Sequence, residues 1–189
     1  ITGRYSTSFS LGIRALETKY RQPIRNVYGF VRFADEIVDT FHEQDKRALL
    51  TEFRLHTFDA IERRMSANPV LHSFQLTVHE YGISADLINA FLNNMEMDLD
   101  RTSYDESGYK QYIYGSAEVI GLMCLRIFCE RDEARYDSLK DGALALGSAF
   151  QKVNFLRDMR SDLEERGRIY FPGVDLKNGF NEPVKKEIE

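Results

Sequence analysis

Two acidic sets stand out by residue type and spacing: Asp35-Glu36-Ile37-Val38-Asp39, and Asn154 followed by Asp158 and Asp162. In each, carboxylates fall four residues apart, which on a helix stacks them on one face, where like charges repel by roughly 0.2–0.5 kcal/mol per pair. Such a pair is usually a solvated helix face. Here the Asp35/Asp39 face is flanked by Ile24, Tyr28, Val31 and Val38, a stripe that should point inward. An inward carboxylate needs a cation or a proton, and Arg32, one turn earlier, is the nearest fixed counter-charge. Asn154, Asp158 and Asp162 share a sector with Ala143, Gly147, Phe150 and Gln151, whose small members should leave room for a ligand. Asp and Asn oxygens on two facing helices suit Mg²⁺, which keeps waters and takes further ligands from a substrate phosphate. They suit zinc poorly. His42, His56, His72 and His79 form no Glu-x-x-His motif of the kind a di-iron bundle requires. These residues point to metal-dependent chemistry on a diphosphate.

The elements that must position them are helices, because almost every segment has helical period and almost none has strand alternation. Pro23 predicts the start of a helix through Thr40, and Asn68-Pro69 an N-cap followed by a first-position proline. Further helices are expected over 45–66, 84–99, 105–129 and 135–164. Gly167, Pro172, Gly173 and Gly179 then mark a loop, and Asn181-Glu182-Pro183 opens a last helix. Neither repeat nor linker interrupts the 189 residues, so one domain, 1–189, is the expectation, and helices joined by short loops pack as a bundle that builds metal sites from inward side chains.

Composition narrows the function classes. A hydrophobic fraction of 43% supports a packed core. A net charge of -5 and a pI near 5.5, with no clustered basic face, argue against nucleic-acid binding. Cys124 and Cys129 are five apart, neither a CxxC motif nor a disulfide framework, and read as buried free thiols of a reducing interior. The longest apolar run, Val119 to Leu125, is far short of the ~20 residues that span a bilayer. The chain starts at Ile1 with no signal-like segment, so it is expected to begin inside a larger protein.

With these residues in hand, the chain resembles the squalene/phytoene synthase family of head-to-head prenyl transferases. The resemblance runs from Tyr5 to Ser10, through Tyr28-Gly-Phe-Val-Arg32 into Asp35 and Asp39, then Met95-Glu-Met-Asp-Leu99. It continues through Tyr112-Ile-Tyr-Gly-Ser-Ala117 with Gly121, then Gln151 to Asp162, and ends on Gly167-Arg-Ile-Tyr-Phe-Pro172. That ending, and the Asp-Glu-Ile-Val-Asp form of the first acidic motif, look most like bacterial phytoene synthases. The resemblance implies an all-α, isoprenoid-synthase-type helical bundle around a central apolar cavity, with the family's last helices lying beyond this chain. It implies joining two geranylgeranyl diphosphates through prephytoene diphosphate to phytoene, with release of diphosphate. The cofactor would be Mg²⁺, with Mn²⁺ as a substitute, and no NADPH would be needed. The nearer alternative is a squalene or dehydrosqualene synthase-type enzyme using farnesyl diphosphate; the alternative of another class is a non-catalytic, family-derived interaction or assembly protein, against which retention of the acidic residues argues.

Carried over residue by residue, the resemblance makes Asp35, Asp39, Asn154, Asp158 and Asp162 metal ligands, and Asp35, Asp39, Asp158, Asp162 and Tyr112 the catalytic set. It makes Ser8, Phe9, Tyr28, Arg32, Ala117, Gly121, Gln151 and Arg157 substrate contacts. Phe9, Tyr28, Tyr112 and Phe150 are the expected π faces for a carbocation, and Ala117, Gly121 and Cys124 a small-residue stripe for either a prenyl chain or a close helix. Thr7, Glu118 and Val119 depart from the common Lys, Gly and Thr of relatives. The implied setting is cytoplasmic, with peripheral membrane association for product release, and the implied partner is a prenyl diphosphate.

Overall fold

The computed structural model describes residues 7–41, 43–100, 103–166 and 169–173. The described residues are helical almost throughout: α1 (Thr7–Ala15), α2 (Thr18–Asp39), α3 (Lys46–Arg63), α4 (Pro69–Tyr81), α5 (Ala85–Asp98), α6 (Glu106–Ile113), a π-helical turn (Tyr114–Glu118), α7 (Val119–Cys129) and α8 (Glu133–Arg166). One isolated parallel bridge, Ser103 to Ile169, ties the approach to α6 to the segment after α8.

Local chemistry explains most starts and stops. The Asp45 carboxylate accepts the Ala48 N–H at 2.9 Å at the head of α3, and Asn68 Oδ1 does the same for Val70 ahead of Pro69. Arg64 and Gly82 close α3 and α4 in the left-handed conformation. The start expected at Pro23 is wrong by five residues, because α2 begins at Thr18 and runs through the proline. Near the start of a helix the missing N–H forfeits a single bond, to the Lys19 carbonyl, and the ring is buried. The helix expected after Asn181 lies outside the described residues.

The core is built on Phe30, in the middle of α2 and wholly buried. Its ring stacks on Phe74 of α4 at 4.0 Å and 3°, and lies 5.5 Å from Phe53 of α3 and 5.4 Å from Phe91 of α5. Residues 106–129, by length and composition long and apolar enough to cross a membrane, form a core helix with half of the apolar window buried in the protein. The thiols Cys124 and Cys129 are free; Cys129 is buried, and burial pushes the Cys124 thiol up to about 12.

The α6–α7 helix reaches its neighbours through glycines. A Cβ on Gly121 would stand 3.2 Å from the Ala143 carbonyl oxygen of α8, and one on Gly147 would stand 3.0 Å from both the Ala117 oxygen and the Glu118 Cα. In the π-helical turn, where the Val119 N–H reaches back five residues to the Tyr114 carbonyl, a Cβ on Gly115 would lie 2.6 Å from Asn94 Cβ. Asn94 Cβ is fixed to the α5 backbone, so Gly115→Ala must push two helices apart and should lower stability by about 1–3 kcal/mol. Gly142, on α8, has nothing within 4 Å of such a Cβ. Gly142→Ala should leave stability unchanged or raise it by up to about 1 kcal/mol. Denaturant melts of the two variants check the pair, and equal effects would remove the contact as the cause.

Candidate active site

A cavity of about 340 Å³ opens between α2, α5, α6 and α8. From α2 come Asp35 and Asp39 with Val31 and Val38; from α8 come Gln151, Asn154, Arg157, Asp158 and Asp162. The two acidic sets thus face one space from separate helices, as the spacing predicts. Phe91, Met95 and Asp98 of α5 form the floor between them, Tyr112 and Ser116 close one side, and Phe155 and Tyr170 close another.

The electrostatics are those of crowded carboxylates. Burial, reinforced by the charges of Asp39, Asp98 and Glu36 and opposed by Arg32, pushes Asp35 up to about 7. Arg32 is held by Glu36, one turn further on, rather than aimed into the cavity. Asp162 is buried, and Asn154 Nδ2 donates to Gln151 Oε1 at 3.5 Å. Arg157 grips its neighbour Asp158 with two bonds, Nε to Oδ1 at 2.8 Å and Nη2 to Oδ2 at 2.6 Å. Among the described residues, no three His, Cys, Asp or Glu side chains converge closely enough to cage an ion alone. The donor set still fits Mg²⁺: it is all oxygen, it is open, and Asp35 sits in a negative field that a divalent cation would relieve.

Tyr112 is deeply buried, and burial, then the Asp98 charge and Tyr170, holds its phenol well above the usual range. Its hydroxyl donates to Asp98 Oδ2 at 3.0 Å, while the Tyr104 hydroxyl donates to Oδ1 at 3.1 Å. No role attaches to Asp98, Tyr104 or Tyr170 in the sequence reading. The available signal was the 4-3-4 row Leu87, Phe91, Asn94, Asp98, an inward apolar line that turns polar toward the end of α5.

Other predicted contacts lie elsewhere. Ala117 and Gly121 pack against the α8 backbone, so among the two explanations for that stripe the structure has the close helix, and Ala143 and Gly147 serve the same contact instead of leaving room. Phe150 is 63% exposed, because the cavity-facing line of α8 runs through Gln151, Asn154, Asp158 and Asp162 and leaves Phe150 on the flank. Tyr28 and Arg32 sit upstream on α2, outside the cavity wall but near enough for Tyr28 to be raised by burial, lowered by Arg32 and raised by Asp35. The side chains of Ser8 and Phe9 lie outside the described residues.

A pH dependence follows from Asp35. Its folded-state pKa, about 7, lies above the ordinary 3.8, so the native state holds the proton more tightly than the unfolded state. That stabilisation is complete below 3.8 and is lost as pH rises through about 7. The metal-free protein should therefore melt progressively lower between about pH 5 and pH 8. Asp35→Asn should flatten that fall, and Mg²⁺ should raise the melting temperature of the wild type more at the upper pH than at the lower. A slope unchanged in the variant would exclude Asp35 as its source.

Comparison with known proteins gives the family and the fold. The squalene/phytoene synthase family profile matches residues 2–186. A phytoene synthase from Arthrospira platensis is 29% identical over 194 residues, covering 93% of this chain and 60% of the relative. A presqualene diphosphate synthase from Sinorhizobium fredii is 33% identical over 176 residues, covering 90% and 60%. The crystal structure of a dehydrosqualene synthase superposes with a TM-score of 0.80 at 26% identity, covering 93% of this chain and 60% of that one. The chain thus spans about three fifths of the length of these relatives. An all-α bundle with two acidic helices facing one cavity, matched along nearly its whole length, makes this chain a member of the squalene/phytoene synthase family.

Proposed function

We propose that this chain is the metal-binding part of a phytoene synthase, an enzyme that joins two geranylgeranyl diphosphates head to head through prephytoene diphosphate to phytoene, with loss of diphosphate and a proton. The observation that carries the reading is the convergence of Asp35 and Asp39 on α2 with Asn154, Asp158 and Asp162 on α8 across one cavity. The family depends on magnesium, and the same five residues would hold it here. Bound Mg²⁺ neutralises and polarises the diphosphate as a Lewis acid.

The chain's own residues do the rest. Arg157, which holds Asp158 in two bonds, would be available to a diphosphate oxygen if that carboxylate served as a metal ligand. Phe155, Tyr170 and Tyr112, mutually in ring contact at 4.3–5.7 Å, offer π faces to an allylic cation, each worth about 0.5–2 kcal/mol. Val31, Val38, Phe91 and Met95 keep the adjoining wall apolar and exclude water from the cation. Proton loss ends the sequence, so no reductant enters.

A second reading, condensation of two farnesyl diphosphates, is favoured by the 33% identity to a presqualene diphosphate synthase. Incubating the full-length protein with Mg²⁺ and each diphosphate separates the two, with phytoene from the C20 substrate as the expected product. Asp35→Asn and Asp158→Asn should each lower turnover by about 10²–10³-fold, the usual effect of removing one electrostatic clamp, with the fold retained. Wild-type turnover in both variants would overturn the metal assignment, and presqualene diphosphate as sole product would overturn the C20 reading.

A further inference from the structure

Asp98 is a buried carboxylate in the cavity with no part in the reaction as described above. It ends α5 at 7% exposure and accepts two phenols, Tyr104 on Oδ1 at 3.1 Å and Tyr112 on Oδ2 at 3.0 Å. The two rings meet edge to face at 5.0 Å, and Tyr170 stacks over Tyr104 at 5.7 Å and 12°. A buried carboxylate requires donors, but this convergence also constrains the phenol. A tyrosine hydroxyl has one hydrogen. Asp98 and Tyr170, which also hydrogen-bonds the Tyr112 hydroxyl, together fix its torsion, and the oxygen lone pair that remains is directed away from Asp98.

The reaction needs that geometry. Losing a proton from the last carbocation requires a base within reach, and a phenol held in its neutral form can accept a proton only by giving up its own. The Tyr112 hydrogen already lies on Asp98 Oδ2. We propose that Asp98 is the positioning residue for Tyr112, aiming its oxygen at the cationic carbon chain and receiving its phenolic hydrogen as the final proton is lost. A C–H bond breaks, its electron pair becomes the new C=C bond, the proton joins the Tyr112 oxygen, and the former phenolic hydrogen passes to Asp98. Substrate cation and carboxylate charge disappear together, leaving a neutral alkene, a neutral phenol and a neutral acid. No oxidant or reductant is involved.

This inference rests on the reading under Proposed function, and the test separates them. In the full-length protein with Mg²⁺ and the prenyl diphosphate it accepts, the measured quantity is the ratio of cyclopropyl diphosphate, with its hydrolysed alcohols, to final hydrocarbon. Asp98→Asn and Tyr112→Phe should each raise that ratio by about 10²-fold, the scale of a lost acid–base partner. The double variant should add little to either, since both remove one relay. The wild type should also show a solvent deuterium isotope effect on hydrocarbon formation that Tyr112→Phe lacks, a readout that holds even where Asp98→Asn fails to fold. A wild-type ratio in Asp98→Asn, or no isotope effect in the wild type, overturns the relay. A wild type that stops at the cyclopropyl diphosphate overturns it while leaving the condensation intact, and one that consumes neither diphosphate overturns both.

Discussion

The acidic cavity depends on the aromatic stack at Phe30. Carboxylates that repel one another and sit partly out of water oppose folding, as the raised Asp35 records. What holds them is the preceding turn and a half of the same helix, where Phe30 is locked against Phe53, Phe74 and Phe91. A buried phenylalanine of this kind contributes about 3–5 kcal/mol relative to alanine. That is several times the repulsion of an i,i+4 acidic pair, about 0.2–0.5 kcal/mol. The stack also fixes the rotation of α2 about its axis. With Phe30 pointing at α4, Asp35 and Asp39 have no choice but to face the cavity.

The opposite wall is organised by a different principle. There α8 approaches the α6–α7 helix backbone to backbone through Gly121 and Gly147, and the same helix turns polar as it passes from that contact into the cavity at Gln151. One helix therefore serves first as a packing surface and then as a ligand surface. Close packing upstream holds Asn154, Asp158 and Asp162 in register with α2. The buried aromatic group of Tyr104, Tyr112, Phe155 and Tyr170 secures the far end, joined by the Ser103 to Ile169 bridge.

Legibility in the sequence followed the range of the interaction. Caps act over three residues, and Asp45 and Asn68 behave as their types predict. The acidic sets are readable because helical spacing and an apolar flank are both local. Pro23 misleads because proline tolerance in the first turns depends on what the lost bond would have done, which is not a local question. Gly121 shows small size without showing which neighbour requires it. Spacing places Asp98 on the inward line of α5 but not its purpose, since the phenols that give it meaning arrive from the approach to α6 and from α6 itself. Arg157, a substrate contact by resemblance, is paired in the structure with the next residue in the chain, Asp158.

The π-helical turn has a consequence for heredity. Five residues, Tyr114 to Glu118, carry a wide turn inside an otherwise regular helix, placing Tyr112 in the cavity, Gly115 against Asn94 and Ala117 against Gly147. The wide turn holds one residue more than the α-helical turn it replaces, so deleting one residue there would restore ordinary α-helical pitch and leave the two flanks close to their present register. The same deletion in the regular helix that follows, Val119–Cys129, would rotate one flank by about 100° relative to the other, and Tyr112 and the Gly121 contact could not both keep their places. The turn is therefore strict about letter at Gly115 and the more forgiving place for a lost codon, whereas the regular helix that follows it is strict about length.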